Sequence, residues 1–300
     1  MNLPVQYTPG SGLNSFADKA DQFLRGEDTP SNFLDRCIAS INTQEPEVKA
    51  WVTTRLDAAR AEAKMADSRY ASGTPLSPVD GMPIGIKDVI QTRDMPTKFG
   101  SPIFDNNETG FDSASVDALR RAGALIVGKS VTTEFAFVKP GPTRNPFDTT
   151  KTPGGSSSGS SAAVGAGMVP AALGSDTGGS VRNPASCCGI VGIKPTYGRV
   201  SRRGVLPLSF SLDNVGPLTR TVEDNALVLA AIAGHDPADP ASDPRPVDDY
   251  IADLRRGVKG LKIGLIRHFY DEDTVADPEM AAGIENAAKL LTGLGAAVTE

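Results

Sequence analysis

The sequence predicts an α/β fold built around a mixed or parallel sheet. Two observations carry this. Residues 114–122 suit a helix and run directly into the apolar segment Ala124-Leu125-Ile126-Val127, a short buried strand. A similar order returns near the end of the chain, where 261–267 reads as a strand, 280–294 as a helix and 295–299 as the opening of another strand.

The remaining elements follow in order. Segments 14–24 and 31–41 carry apolar residues at helical spacing, and Pro30-Ser31 resembles a helix start. Segment 56–70 is rich in Ala, Glu, Arg and Lys and stops at Gly73-Thr74-Pro75, as a third helix would. From Pro83 the texture changes, and 84–90 alternates like a strand. Residues 139–160 are rich in Pro, Gly, Thr and Ser, after which 162–168 resumes a small-residue helix. Segment 221–233 is an amphipathic helix, and 236–248, heavy in Pro and Asp, looks like a linker. The chain thereby divides into an N-terminal helical part, residues 1–75, and one continuous core, residues 76–300. A helix that has just delivered its strand is an odd place for a domain to stop, so the expectation is an N-terminal portion of something longer.

Composition narrows the function classes. Of 300 residues, 39% are hydrophobic and 22% charged, an ordinary soluble composition with enough apolar mass for a large core. The net charge of -6, with no long run of Lys or Arg, argues against nucleic acid as the default partner. No apolar stretch approaches the ~20 residues that span a bilayer. Residues 1–12 lack the basic start and apolar core of a secretory signal, so the expected location is cytoplasmic. The three cysteines, Cys37, Cys187 and Cys188, form neither a disulfide framework nor a CxxC metal site. Cys187 and Cys188 read as small buried hydrophobes. Asp88, Asp94 and Asp112 show no metal-ligand spacing, and neither metal nor cofactor is expected.

The chemistry concentrates in two glycine- and serine-rich runs, Pro153-Gly-Gly-Ser-Ser-Ser-Gly-Ser-Ser-Ala-Ala-Val164 and Leu173-Gly-Ser-Asp-Thr-Gly-Gly-Ser-Val-Arg-Asn-Pro184. An isolated run of this kind is a flexible linker. Here apolar residues follow at once, and the second Gly-Gly-Ser lies between apolar segments. Adjacent glycines let a tight turn aim successive N–H groups into one concavity, which suits a developing oxyanion. Ser180, at the end of that turn, could attack a carbonyl held there but needs a base. The only histidines, His235 and His268, lie beyond this region, beside the Pro/Asp stretch and at a strand end. Lys87 is the other candidate. It sits in an apolar strand-like segment, where burial lowers a lysine's pKa and leaves a neutral, competent base. The alternative is a head group that escapes to the surface or pairs with Asp88, and these residues leave the two open.

Together these segments resemble the amidase signature family. Three blocks carry the resemblance: Gly81-Met-Pro-Ile-Gly-Ile-Lys-Asp88, Pro153-Gly-Gly-Ser-Ser-Ser-Gly159 and Gly174-Ser-Asp-Thr-Gly-Gly-Ser-Val-Arg182. The last continues into Cys188-Gly-Ile-Val-Gly-Ile-Lys-Pro-Thr-Tyr-Gly-Arg-Val-Ser201, with support from Gly141-Pro-Thr-Arg-Asn-Pro146 and Leu212-Asp-Asn-Val-Gly-Pro-Leu-Thr-Arg220. The resemblance implies a single α/β/α domain around a large mixed sheet that normally continues beyond the equivalent of Glu300. It implies that Ser180 is the nucleophile, Ser156 the bridging serine after a cis peptide, and Lys87 the general base. It further implies an oxyanion hole from the backbone of Thr177, Gly178, Gly179 and Ser180, with Ser157, Asp176 and Arg182 bracing the loop. The activity implied is hydrolysis of a small linear amide. Phe135, Phe137 and Val138 are candidates for an apolar pocket wall, with core packing the alternative.

Rival readings follow from the same residues. Within the family, the ammonia-releasing glutaminase component of a glutamyl-tRNA or aspartyl-tRNA amidotransferase acts on glutamine and would bring a nucleic-acid partner. Against it, the segment from Glu134 to Pro142 is shorter than that component's usual form. Gly155-Ser156-Ser157-Ser158-Gly159 satisfies G-x-S-x-G with Ser157 at its centre, but no buried strand precedes it, which disfavours a Ser-His-Asp hydrolase. A non-catalytic binding protein is the third reading. The expected partner is a small-molecule amide, with no membrane and room for a homodimer.

Overall fold

The computed structural model describes residues 15–300, so segment 1–12 and the first residue of the first expected helix lie outside the described residues. The chain forms two compact units, one running to Tyr250 and the other from Ile251 to Glu300.

The larger unit is organised on a six-stranded sheet in the order β1-β3-β2-β4-β6-β5. Its strands are β1 (Trp51–Thr54), β2 (Pro83–Lys87), β3 (Leu125–Ser130), β4 (Ala171–Asp176), β5 (Val191–Gly192) and β6 (Asn214–Thr219). β2 pairs in parallel with β3 and with β4, while β1, β5 and β6 join antiparallel, which makes the sheet mixed. β2, β3 and β4 are buried along their whole length, as strands covered on both faces must be. Alternation then sorts their side chains. Ile84, Ile86, Ile126, Ala171 and Leu173 join one apolar cluster, and Leu125, Val127 and Ala172 join another.

Helices supply the other side of each cluster. α1 (Ala17–Leu24), α4 (Ala114–Arg121) and α7 (Val222–Ile232) contribute Phe23, Val116, Leu119, Val228 and Ile232 to the first. α2 (Pro30–Val48), α3 (Leu56–Ala71) and α5 (Ser158–Gly165) contribute Leu34, Ile38, Ala59, Ala162 and Val164 to the second. Caps fix several starts: Thr29 accepts the N–H of Asn32 ahead of Pro30, and Thr221 accepts that of Asp224. The sheet is therefore sandwiched between helical layers, in keeping with the α/β/α arrangement that the resemblance implies.

Three details differ from the sequence reading. The helical N-terminal part contains an edge strand, β1, too short for its alternation to show. The strand at 84–90 ends at Lys87, where the backbone N–H groups of Val89 and Ile90 turn back onto the Lys87 carbonyl. The Pro/Asp stretch at 236–248 is tied down rather than free. Asp236 accepts from Ser201 and Arg203, Asp239 from Arg202, and Arg199 bonds the carbonyls of Arg245 and Pro246.

The smaller unit holds β7 (Lys262–Gly264), α8 (Pro278–Gly293) and β8 (Ala297–Thr299), with β7 and β8 paired in parallel. No helix among the described residues is long and apolar enough to cross a membrane.

Candidate active site

Lys87 closes β2, and the register of the sheet carries it toward the ends of β4 and α5. Its side chain is fully buried. Nζ donates to Ser156 Oγ at 2.7 Å and to Ser175 Oγ at 2.9 Å, with the Ser175 carbonyl at 3.4 Å. Burial lowers its pKa to about 7, against the opposing pull of the Asp176 and Asp213 carboxylates. Asp88 does not pair with it. That carboxylate accepts the Lys98 N–H and lies 3.4 Å from Nζ of Lys129, a second fully buried lysine on β3.

The glycine- and serine-rich run is embedded, not a linker. The Gly155–Ser156 peptide bond is cis, and α5 begins two residues later. Each serine finds a partner: Ser157 Oγ donates to the Ser175 carbonyl (3.2 Å), Ser158 Oγ to that of Val131 (3.3 Å) and Ser160 Oγ to that of Leu173 (2.9 Å). Gly159 permits this depth, because a Cβ there would lie 2.3 Å from the Ala50 carbonyl oxygen and the Val131 nitrogen.

The second run leaves β4 at Asp176 and forms the turn that carries Thr177, Gly178, Gly179 and Ser180. Asp176 is buried and accepts the N–H groups of Gly179 (2.8 Å), Val181 (3.0 Å) and Arg182 (3.2 Å), besides a two-point contact from the Arg182 guanidinium. Burial works against its charge, but Arg182 and these N–H donors more than offset that and hold the carboxyl below its ordinary value. Gly179 takes φ +127°, open to glycine, and its N–H is engaged by Asp176. Ser157 N–H donates to the Ser180 carbonyl at 3.1 Å, joining the two runs.

Ser156, Ser180, Thr177 and Gly178 open onto one cavity of about 830 Å³. Its apolar wall includes Ala136, Phe137, Val138, Pro140 and Leu208. Of the three wall candidates, Phe137 and Val138 line it, while Phe135 turns away to an edge contact with Phe104. Ser156 thus bridges the buried lysine and the cavity, whereas Ser180 meets Ser156 through the shared cavity wall rather than through a hydrogen bond. Ser157 is fully buried, its hydroxyl is committed to Ser175, and it does not line the cavity.

Three participants escape the sequence reading. Ser175 holds Lys87 and lies inside the Gly174–Arg182 block, one residue before Asp176. Lys129 claims Asp88, and the signal that could have found it is its position in the apolar 124–130 segment. Asp213, in the Leu212–Arg220 block, accepts the Thr177 hydroxyl at 2.5 Å. Of the adjacent cysteines, Cys188 is buried and its thiol is pushed up to about 12, but Cys187, at the end of α6 (Arg182–Cys187), is exposed.

Comparison with known proteins agrees with this arrangement. The family model described as Amidase matches residues 32–300. The GatA-type chain of glutamyl-tRNA(Gln) amidotransferase from Chloroflexus aggregans is 45% identical over 281 residues, covering 92% of this chain and 57% of that protein. Native peptide amidase from Stenotrophomonas maltophilia superposes with a TM-score of 0.88 at 36% identity, covering 97% of this chain and 62% of that one. The corresponding glutamyl-tRNA(Gln) amidotransferase chain from Thermotoga maritima gives a TM-score of 0.80 at 37% identity, covering 95% and 61%. The chain thus spans little more than half the length of the curated relative, while nearly all of it is matched. A match over that extent, with the same mixed sheet, makes this chain a member of the amidase family.

Proposed function

We propose that the protein is an amidohydrolase that cleaves the C–N bond of a small linear carboxamide through an acyl-enzyme on Ser180, acting in the cytoplasm. The observation that carries the reading is the fully buried Lys87, whose Nζ lies 2.7 Å from Ser156 Oγ at the floor of the cavity that Ser180 also lines. With its pKa near 7, a neutral Lys87 takes the Ser156 proton as Ser156 takes that of Ser180. Ser180 Oγ then bonds to the carbonyl carbon. The oxyanion falls to N–H groups of the 177–180 turn, with Thr177, Gly178 and Ser180 the donors not engaged by Asp176. The proton returns through Ser156 to the leaving nitrogen, the C–N bond breaks, and water hydrolyses the ester by the same route in reverse.

The wall of Ala136, Phe137, Val138 and Leu208 favours an uncharged acyl group. A second reading, the glutaminase component of a tRNA-dependent amidotransferase that draws ammonia from glutamine, is favoured by the name of the 45% identical relative. The test is intact-mass spectrometry after treatment with a fluorophosphonate, followed by peptide mapping. An adduct on Ser180 that is lost in Lys87→Ala supports the reading. A folded protein that takes no label, or takes it on Ser157, sinks it. Ammonia release from glutamine set against release from simple amides separates the two substrates.

A further inference from the structure

The Asp213 carboxylate is almost fully buried just before β6. It accepts three donors: the Thr177 hydroxyl on Oδ1 (2.5 Å), the Leu208 N–H on Oδ2 (3.0 Å), and the Ser209 N–H shared between Oδ1 (3.1 Å) and Oδ2 (3.0 Å). All three donor residues line the cavity that holds Ser156 and Ser180. Thr177 opens the glycine turn, and Leu208 and Ser209 stand on a separate loop. One carboxylate therefore ties two walls of the cleft together.

Asp213 is itself well anchored. Asn214, the next residue, pairs with Asp176 where β6 and β4 run antiparallel. Two buried carboxylates thus sit at the same end of adjacent strands. Asp176 holds the turn from inside through Gly179, Val181 and Arg182, and Asp213 holds its first residue from the side of the 208–209 loop. Hydrogen bonds to an ionised carboxylate are stronger than neutral ones, and donors left unmatched in a buried site are costly.

We infer that Asp213 is a positioning residue: it holds the oxyanion turn and the Leu208–Ser209 wall in one fixed relation, so that an acyl group bound against that wall meets a preorganised turn. This rests on the reading of Ser180 as nucleophile. Preorganised donors act because they need not be rearranged as the oxyanion forms, so loosening Thr177 lowers turnover and loosening the wall weakens binding.

The test uses the whole protein with 4-nitroacetanilide as substrate and the rate of fluorophosphonate labelling as a second readout. Thr177→Val keeps the side-chain size and removes the donor, and is expected to lower both kcat and labelling about tenfold with KM unchanged. Thr177→Ser keeps the hydroxyl and is expected to recover most of the rate. Asp213→Asn is expected to lower kcat similarly and also to raise KM, since it frees Leu208 and Ser209. In the double variant the kcat losses are expected not to multiply, because both remove one contact. Thr177→Val at the wild-type rate, Thr177→Ser no better than Thr177→Val, or fully multiplicative losses would each overturn the inference. If Asp213→Asn does not fold, the Thr177 pair decides alone. A wild-type protein that neither labels nor turns over any amide overturns the nucleophile reading and this inference with it, whereas a labelled wild type with an indifferent Thr177→Val overturns only the latter.

Discussion

Asp88 directly follows Lys87 in the chain, yet its carboxylate lies 3.4 Å from Nζ of Lys129 on the neighbouring strand. Lys129 donates further to the Ile90 carbonyl and to Thr97 Oγ1, both at 2.7 Å, and so secures the loop that follows β2. Both lysines are fully buried, and burial lowers both pKa values, Lys87 to about 7 and Lys129 to about 8. Their surroundings differ. Lys129 has a carboxylate in contact, whereas Lys87 is bonded to the hydroxyls of Ser156 and Ser175. Because Lys129 takes Asp88, Lys87 is left without a contacting anion to hold it charged, which is the condition a lysine base requires.

The first consequence is a pH profile. Below its pKa Lys87 is an ammonium ion and cannot accept a proton; above it, the amine is free. Activity is therefore expected to rise with pH through about 7, with kcat/KM reporting the free protein. The Asp176 and Asp213 carboxylates favour the charged form, so Asp213→Asn is expected to move this acid limb to lower pH. A kcat/KM that stayed flat between about pH 6 and 8 would rule out Lys87 as the titrating base.

The proton route also makes three residues one unit. Lys87→Ala, Ser156→Ala and Ser180→Ala are each expected to lower kcat by roughly 10⁴-fold or more, and the double variants are expected to be hardly worse than the singles. Steady-state kinetics on the single and double variants, with circular dichroism to verify folding, checks this. Independent, multiplying losses would mean that Ser156 does not relay the proton.

Much of this site was legible in the sequence because its parts are local. The strand ending at Lys87, the serine run entering α5 and the glycine turn after β4 each announce themselves in a few contiguous residues. What joins them is not local. Lys129 meets Asp88 across the β2–β3 register, and Asp213 reaches Thr177 across the β4–β6 pair, contacts no short window contains. The same limit left the fate of Lys87 open, since its choice between Asp88 and Ser156 depends on which anion a neighbouring strand claims. The 236–248 stretch misleads for a related reason. Its Pro and Asp composition is that of a linker, but its carboxylates are acceptors that collect donors from Ser201, Arg202 and Arg203.

The contrast between the two lysines is also a contrast in stability. Lys129→Met strands Asp88 as a buried carboxylate without its cation and is expected to destabilise the protein by about 3–5 kcal/mol. Lys87→Met removes a desolvated amine and leaves only hydroxyls behind, so it is expected to be inactive yet at least as stable as the wild type. Urea denaturation of the two variants decides the matter, and a Lys87→Met loss as large as that of Lys129→Met would mean that Lys87 is structural.

Two glycines separate packing from alignment. A Cβ on Gly159 would lie 2.3 Å from backbone atoms of Ala50 and Val131, which cannot yield without moving β1 or β3, so Gly159→Ala is expected to destabilise the fold by about 1–3 kcal/mol. A Cβ on Gly174 would instead meet the Ser157 hydroxyl at 2.6 Å. That hydroxyl can rotate away from the Ser175 carbonyl, but the Ser157 backbone N–H holds the Ser180 carbonyl at 3.1 Å, and any shift of Ser157 is passed to Ser180. Gly174→Ala is accordingly expected to slow fluorophosphonate labelling of Ser180 more than it lowers the urea midpoint, and Gly159→Ala the reverse. Equal losses on both measures in both variants would show that α5 and the glycine turn respond as one rigid body, with Ser157 carrying no separate share of the alignment.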